Sequence, residues 1–313
     1  MWVKTELIDC PLCGSKEFDE VAVRCDNLHI VKCKSCNLAF LNPRPTSDEI
    51  WKLYEKDYYS SQTCGETSFK GMPASAANVR NYKPYGFDML KGLVSLNGKR
   101  ALDIGCSYGK WVYWMSKYGA RAVGIDLAQQ CVEWGRQNLE LDLRQKDLLS
   151  LDEPDESFDI ITMIDLIEHV TDLDGFMENL ARLVKPEGVV FVQTPNFESY
   201  YKWRQDWRFL YFSLEHILYF DTATLGKLFA DYGFLPCKDT VVLHTIPADR
   251  DGFIRQQKGF KRKLASYLLG LPRCCDFIHR GLSRFLAKEQ TYNYDSTRQQ
   301  GAVIIGCYKK NRQ

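Results

Sequence analysis

The stretch Lys99-Arg-Ala-Leu-Asp-Ile-Gly-Cys-Ser-Tyr-Gly109, followed by Ala122-Val-Gly-Ile-Asp126, admits few folds. Ala101 to Ile104 is a short apolar run broken by Gly105, and Trp111 to Tyr118 reads as a helix, so the unit is strand, tight turn, helix. Without a Cβ, Gly105 and Gly109 let the turn backbone press against a ligand. Asp126 closes the next apolar run, 21 positions after Gly105, where a carboxylate accepts hydrogen bonds from both hydroxyls of a ribose. The spacing predicts an α/β sheet and a ligand with an adenosine-like moiety.

Two rival readings use the same letters. Gly105-Cys-Ser-Tyr-Gly109 fits the nucleophile elbow of α/β-hydrolases, with Ser107 as nucleophile, but cysteines and a polar, helical lead-in stand where that elbow needs earlier strands and an oxyanion loop. A nicotinamide dehydrogenase fingerprint has a third glycine, and an apolar residue where Asp103 sits.

From about residue 99 to 247 the chain resembles the class I S-adenosylmethionine-dependent methyltransferases, motif by motif. Asp103, Gly105 and Gly109 match the first motif, with Ser107 replacing the usual middle glycine and Cys106 in the same turn. Asp126, next to Leu127, matches the ribose-binding acid, and Asp147-Leu148 the pair beside the adenine. Asp147 also fits a plain polar turn with Asp142 and Asp152. Ser157 to Asp165 looks like the fourth strand, and Leu183 to Asn196 like the fifth with its lead-in turn. The resemblance implies a Rossmann-like, mostly parallel sheet with an antiparallel last strand. It also implies S-adenosylmethionine as methyl donor, bound by Asp103, Gly105, Cys106, Ser107, Gly109, Asp126, Leu127, Asp147, Leu148 and Asp165.

At 313 residues and 45% hydrophobic, the chain has enough apolar material for a full α/β core and a second small unit. Its formal charge of +1 gives no global pull toward nucleic acid or anionic membrane. With no long apolar run and no signal-peptide core at Met-Trp-Val-Lys-Thr-Glu, a soluble cytoplasmic protein is expected.

Of 12 cysteines, Cys10-Pro-Leu-Cys13 and Cys33-Lys-Ser-Cys36 form two C-x2-C pairs separated by 19 residues, the spacing of a zinc ribbon. Each pair presents two thiolates from one tight turn, followed by Gly14 or Asn37. Four protein ligands leave no open position, so the Zn2+ expected there is structural. The alternative is a coincidental set of buried or paired thiols. Cys25 is surplus, and Cys131, Cys237 and Cys307 read as small apolar core residues.

The reading divides the chain into a ribbon (1–45), a helical lead-in (46–98) and a core (99–313) with an insertion at about 249–299. Asn42-Pro-Arg-Pro45 breaks the pattern, Thr46 to Tyr54 reads as a capped helix, and residues 60 to 80 as a loop near the cofactor entrance. Strands are expected near 101, 122, 143, 159 and 189, then at Thr240 to His244 and Ala302 to Tyr308, with helices near 112, 130 and 176 and over Thr222 to Tyr232. Residues 255–286 interleave basic and apolar side chains. They fit a peripheral membrane contact, or a helical cap packed on the core or in a homodimer interface.

Asp165, Glu168 and His169 fall at i, i+3 and i+4, positions that share a helical face. The segment resembles the acid-x-x-Glu-His run of the ubiquinone-pathway O-methyltransferases, which implies a divalent cation such as Mg2+; Asp165 stands where that family has Glu. For His169 a backbone-bonded place at the core edge is the plain alternative. A second cluster, from Phe197 to Phe220, is rich in aromatics around Glu215-His216, with His216 as the preferred general base and His169 and Glu168 as further catalytic candidates.

Together these motifs resemble bacterial methyltransferases of cell-surface glycan and small-molecule pathways. That resemblance implies a small-molecule acceptor, foremost a sugar hydroxyl, nucleotide- or lipid-linked, with a phenolic or quinone precursor as alternative. A nucleic-acid modifier and a non-catalytic scaffold are the competing classes. The ribbon's Lys4, Lys16, Arg24, Lys32 and Lys34 stand against six acids, Glu6, Asp9, Glu17, Asp19, Glu20 and Asp26, so no nucleic acid is expected.

Overall fold

The computed structural model describes residues 4–24, 26–55, 75–197, 215–237, 241–243 and 303–311. The N-terminal part comprises β1 (Thr5–Glu6), β2 (Phe18–Val23), β3 (His29–Cys33), β4 (Ala39–Leu41) and β5 (Arg44–Pro45), followed by helices α1 (Ser47–Glu55), α2 (Ala76–Asn81) and α3 (Phe87–Leu93). Alternating elements follow: β6 (Arg100–Ile104), α4 (Lys110–Lys117), β7 (Arg121–Asp126), α5 (Gln129–Leu139), β8 (Leu143–Gln145), β9 (Phe158–Ile164), α6 (Leu173–Leu183) and β10 (Val184–Pro195). The remainder is β11 (Leu218–Tyr219), α7 (Thr222–Asp231), β12 (Phe234–Pro236), β13 (Val241–Leu243) and β14 (Val303–Lys310).

The main sheet runs β12-β14-β10-β9-β6-β7-β8, with β13 also paired to β14. Strands β6 to β10 are mutually parallel, and β14 lies antiparallel to β10, with Val190 opposite Tyr308 and Thr194 opposite Ile304. Central strands covered on both faces must be apolar nearly throughout, and Ile160, Ile161, Met163, Val190, Phe191 and Val192 are all buried. The expected mostly parallel sheet with an antiparallel last strand is present. The sixth strand expected at Thr240 to His244 is present as β13, and a further short strand, β12, also pairs with β14.

Aromatic packing fixes the flanks. Phe87 of α3 meets Trp111 and Trp114 of α4 at ring-centre distances of 5.6 and 5.8 Å, and Phe229 of α7 stacks on Tyr308 at 3.9 Å. Residues 76–80, the end of the stretch expected as loop, belong to α2. The Ser75 hydroxyl accepts from the Asn78 amide, Val79 is buried, and its carbonyl accepts from the Trp114 indole at 3.0 Å. Burial of one apolar residue against α4 decides this, and the polar composition gave no hint of it.

The N-terminal sheet is not self-contained. Its order is β11-β4-β3-β2, so a strand from beyond β10 completes it, with Leu218 opposite Phe40 and Tyr219 opposite Ala39. Cys25, most of the loop up to residue 74, the aromatic run 198–214 and the 249–299 insertion lie outside the described residues. Among the described residues, no helix is long and apolar enough to cross a membrane.

Candidate active site

The turn after β6 shows why it needs its glycines. Gly105 has φ +70°, and a Cβ there would stand 2.9 Å from Leu166 Cδ1; at Gly109, with φ +84°, it would stand 2.7 Å from Leu141 Cδ1. Ser107 also adopts a left-handed φ, 51°. Its amide donates to Asp126 Oδ2 at 2.7 Å, and Asp126 Oδ1 accepts from the Ala128 amide at 2.8 Å. The carboxylate ending β7 is thus fixed by two backbone donors.

An open cleft of about 860 Å³, counting its solvent-open mouth, lies over the carboxyl ends of the strands. Gly105, Asp126, Leu127, Asp147 and Leu148 line it, five of the residues expected to bind the cofactor. Asp147 also accepts from the Ser150 amide at 2.6 Å, so it both caps its own turn and faces the cleft. A carboxylate for a ribose at Asp126, a Cβ-free turn and an acid-apolar pair at Asp147 and Leu148 together fit the nucleoside part of S-adenosylmethionine.

The other five cofactor candidates are not among the lining residues. Asp103 is buried beneath the turn, where the Thr162 hydroxyl donates to it at 2.6 Å. Burial pushes its carboxyl up to about 7 against the pull of that hydrogen bond, and the Asp126 charge adds to the rise. Cys106 is buried too, and burial first, then Asp126, pushes its thiol well above the ordinary range. Ser107 and Gly109 shape the turn, and Asp165 lies toward β10.

Sequence reasoning missed one wall. Ser47, Ile50 and Trp51 of α1 line the cleft. The segment is tied down where the Ser47 hydroxyl meets Thr171 Oγ1 at 3.0 Å and Arg44 donates to the Thr171 carbonyl at 2.7 Å. A capped helix beginning after Pro45 was legible; which face it turned to the core was not.

Beside the cleft the chain after β9 makes a single 3-10 turn, Ile167–His169, in place of an α-helix. Asp165, Glu168 and His169 therefore do not share a helical face. Asp165, at φ 52°, accepts from the Gln193 side-chain amide through both oxygens at 3.2 Å. Glu168 and His169 turn inward. Thr194 donates to Glu168 Oε2 at 2.8 Å, and Glu168 Oε1 lies 4.0 Å from His216 Nε2. The rings of His169 and His216 stand 4.9 Å apart at 32°. The three catalytic candidates thus meet from two distant segments, all buried, with potential ligand atoms within 4.8 Å of one another. His169 is the member that lines the cleft.

Two imidazoles and one carboxylate form a poor donor set for Mg2+, which favours oxygen ligands in an octahedron; the set suits a borderline transition ion better. The magnesium site expected at Asp165, Glu168 and His169 is not assembled, because Asp165 points to Gln193.

At the N-terminus Cys10 Sγ lies 3.5 Å from Cys36 Sγ and Cys13 Sγ 3.6 Å from Cys33 Sγ. A tetrahedron of thiolates about 2.3 Å from zinc has edges of about 3.8 Å, so the set fits that ion. Gly14 and Asn37, at φ 68° and 66°, supply the left-handed turn after each pair, with amides bonded back to the Cys10 and Cys33 carbonyls. Burial opposes ionisation of Cys33, but the Cys36 and Ser35 amides, with neighbouring thiols, bring it down to about 7.

Residues 87–236 match a family model described as a methyltransferase domain. A ubiquinone biosynthesis O-methyltransferase of Neisseria meningitidis is 37% identical over 128 residues, 38% of this chain and 53% of that protein. One of the same description from Coxiella burnetii is 32% identical over 124 residues, 37% of this chain and 53% of that protein. The chain thus spans about half the length of the curated relatives it matches. Among solved structures, a chain from the complex of the Trm112 methyltransferase activator with a methyltransferase of Haloferax volcanii superposes with TM-score 0.52. That match covers 85% of this chain and all of the other at 13% identity, and it is a likeness of fold alone.

Proposed function

We propose that this chain, whose residues 87–236 form a class I S-adenosylmethionine-dependent methyltransferase domain, methylates a hydroxyl oxygen of a small ring-bearing acceptor. The observation that carries the reading is the convergence of Glu168, His169 and His216 at the edge of the nucleoside cleft. When bound, S-adenosylmethionine supplies an electrophilic methyl carbon on a sulfonium. Gly105, Asp126, Asp147 and Leu148 hold the nucleoside. His216 takes the acceptor proton, and Glu168 at 4.0 Å stabilises the imidazolium that forms. His169, between that pair and the cleft, orients the acceptor.

A phenol suits this base better than an aliphatic alcohol does, since a phenolic hydroxyl ionises near 10. The descriptions of the Neisseria and Coxiella relatives favour a phenolic or quinone-precursor acceptor in the same way. A sugar hydroxyl is the second reading. It is supported by the Thr194 hydroxyl, which donates to Glu168 Oε2 and so links the Thr-Pro-Asn segment to the cluster, and by the resemblance of the Thr-Pro-Asn and Glu-His segments to those of glycan methyltransferases. We further assign a structural zinc to Cys10, Cys13, Cys33 and Cys36. The thiols of Cys106, Cys237 and Cys307, none of them in a disulfide, fit a reducing compartment such as the cytoplasm.

Incubation with S-adenosylmethionine and either 3,4-dihydroxybenzoate or UDP-glucose, with EDTA or added divalent ions, tests the reading by mass spectrometry. A one-methyl gain on the catechol supports the first acceptor class, and a gain on the sugar the second. Transfer to neither, with S-adenosylmethionine bound, counts against both. Persistence in EDTA shows that the Glu168 cluster works without a cation.

A further inference from the structure

Arg24 follows β2 in the N-terminal ribbon, yet its side chain is only 1% exposed. Its guanidinium grips the Asp26 carboxylate through two nitrogens, Nε at 2.8 Å from Oδ1 and Nη2 on Oδ2. A buried ion pair of this kind is weak evidence for stability, because desolvating both charges offsets their attraction. Its third arm is more informative. Nη1 donates to the main-chain carbonyl of His216 at 2.9 Å, and the Tyr219 hydroxyl donates to the same oxygen at 3.1 Å. Both lone pairs of that carbonyl are therefore taken.

The neighbouring backbone continues the linkage. The Ile217 carbonyl accepts from the Leu41 amide of β4 at 2.9 Å, while the Ile217 amide donates to the Glu168 carbonyl at 3.0 Å. One residue thus joins the ribbon to the turn that carries Glu168 and His169. Side-chain placement follows from a backbone held at both ends.

We propose that Arg24, locked by Asp26, is a positioning residue that fixes the His216 backbone and so aims its imidazole at Glu168 and His169. The ribbon then forms part of the active-site frame. This rests on the reading of His216 as base, and the test separates the two.

Arg24→Lys keeps the charge but loses the fork, and Tyr219→Phe removes the second donor with little loss of packing. Each is compared with wild type in S-adenosylmethionine affinity by calorimetry, turnover of 3,4-dihydroxybenzoate, and the imidazole resonances of 15N-histidine-labelled protein assigned through His216→Gln. The expected result is cofactor affinity within about two-fold of wild type and kcat lowered on the order of ten-fold or more by Arg24→Lys. The His216 signals should be displaced or broadened in both variants while His29 stays put. If Arg24→Lys does not fold, Tyr219→Phe decides. Unmoved His216 resonances with unchanged kcat overturn the proposal. Full activity in His216→Gln instead overturns the base reading, and a wild type inert toward the catechol leaves the resonances to judge Arg24 alone.

Discussion

The amide of Ser107 lies 2.7 Å from Oδ2 of Asp126, so the glycine turn and the acid ending the next strand are one hydrogen-bonded unit. The turn cannot move without the carboxylate. Asp126 thereby faces the cleft in one orientation before any ligand arrives, and that preorganisation lowers the entropic cost of binding.

Asp126→Ala should weaken S-adenosylmethionine binding by about 1–3 kcal/mol, since it removes the ribose acceptors and releases the Ser107 and Ala128 amides. Asp126→Asn, which keeps one oxygen, should fall between. Calorimetric titration of folded variants checks this, and equal affinity in all three would refute the ribose assignment.

Trp51 lines the cleft while 41% exposed. Its emission should change on cofactor binding. A titration signal present in wild type and absent from Trp51→Phe, whose calorimetric affinity stays measurable, would place α1 against the bound ligand.

Asp103, raised by burial to about 7, should make stability fall as pH rises. The unfolded chain releases this proton near pH 4, whereas the folded chain keeps it until about pH 7. The contribution is complete below the lower value and lost through the upper one, on the order of a few kcal/mol. Urea midpoints across that window should drop more steeply for wild type than for Asp103→Asn.

Zinc analysis should find about one ion per chain, and Cys33→Ser should lose it. Because β3 ends at Cys33 and β4 follows Cys36, the loss should cost several kcal/mol and lower the melting temperature. Retained metal in that variant would exclude the four-thiolate site.

Much of the sheet was legible because its physics is local. Apolar runs at Ala101, Val123 and Ile160 read as central strands, Gly105 marked a turn with positive φ, and Gly14 and Asn37 marked the cysteine knuckles. Glu168, His169 and His216 were found by residue type, but their meeting was not, since nothing local ties residue 168 to 216. The Asp165 expectation failed on backbone geometry: one 3-10 turn rotates side chains differently from an α-helix. Arg24 looked like an ordinary surface base, and β11 is two residues long, too short to carry a pattern. Both gain meaning only from partners far along the chain.

Arg24 and His216 are 192 residues apart in sequence. At roughly 5–20 residues per second of synthesis, the ribbon emerges about ten to forty seconds before the strand that completes its sheet. Throughout that interval the outer edge of β4 lacks its partner β11, a bare edge of the kind that invites mispairing. Strand β4 is only three residues long, and so short an edge offers a poor template to a stray chain. Pairing of β11 with β4 therefore waits for the stretch of chain that also carries His216 to Glu168 and His169.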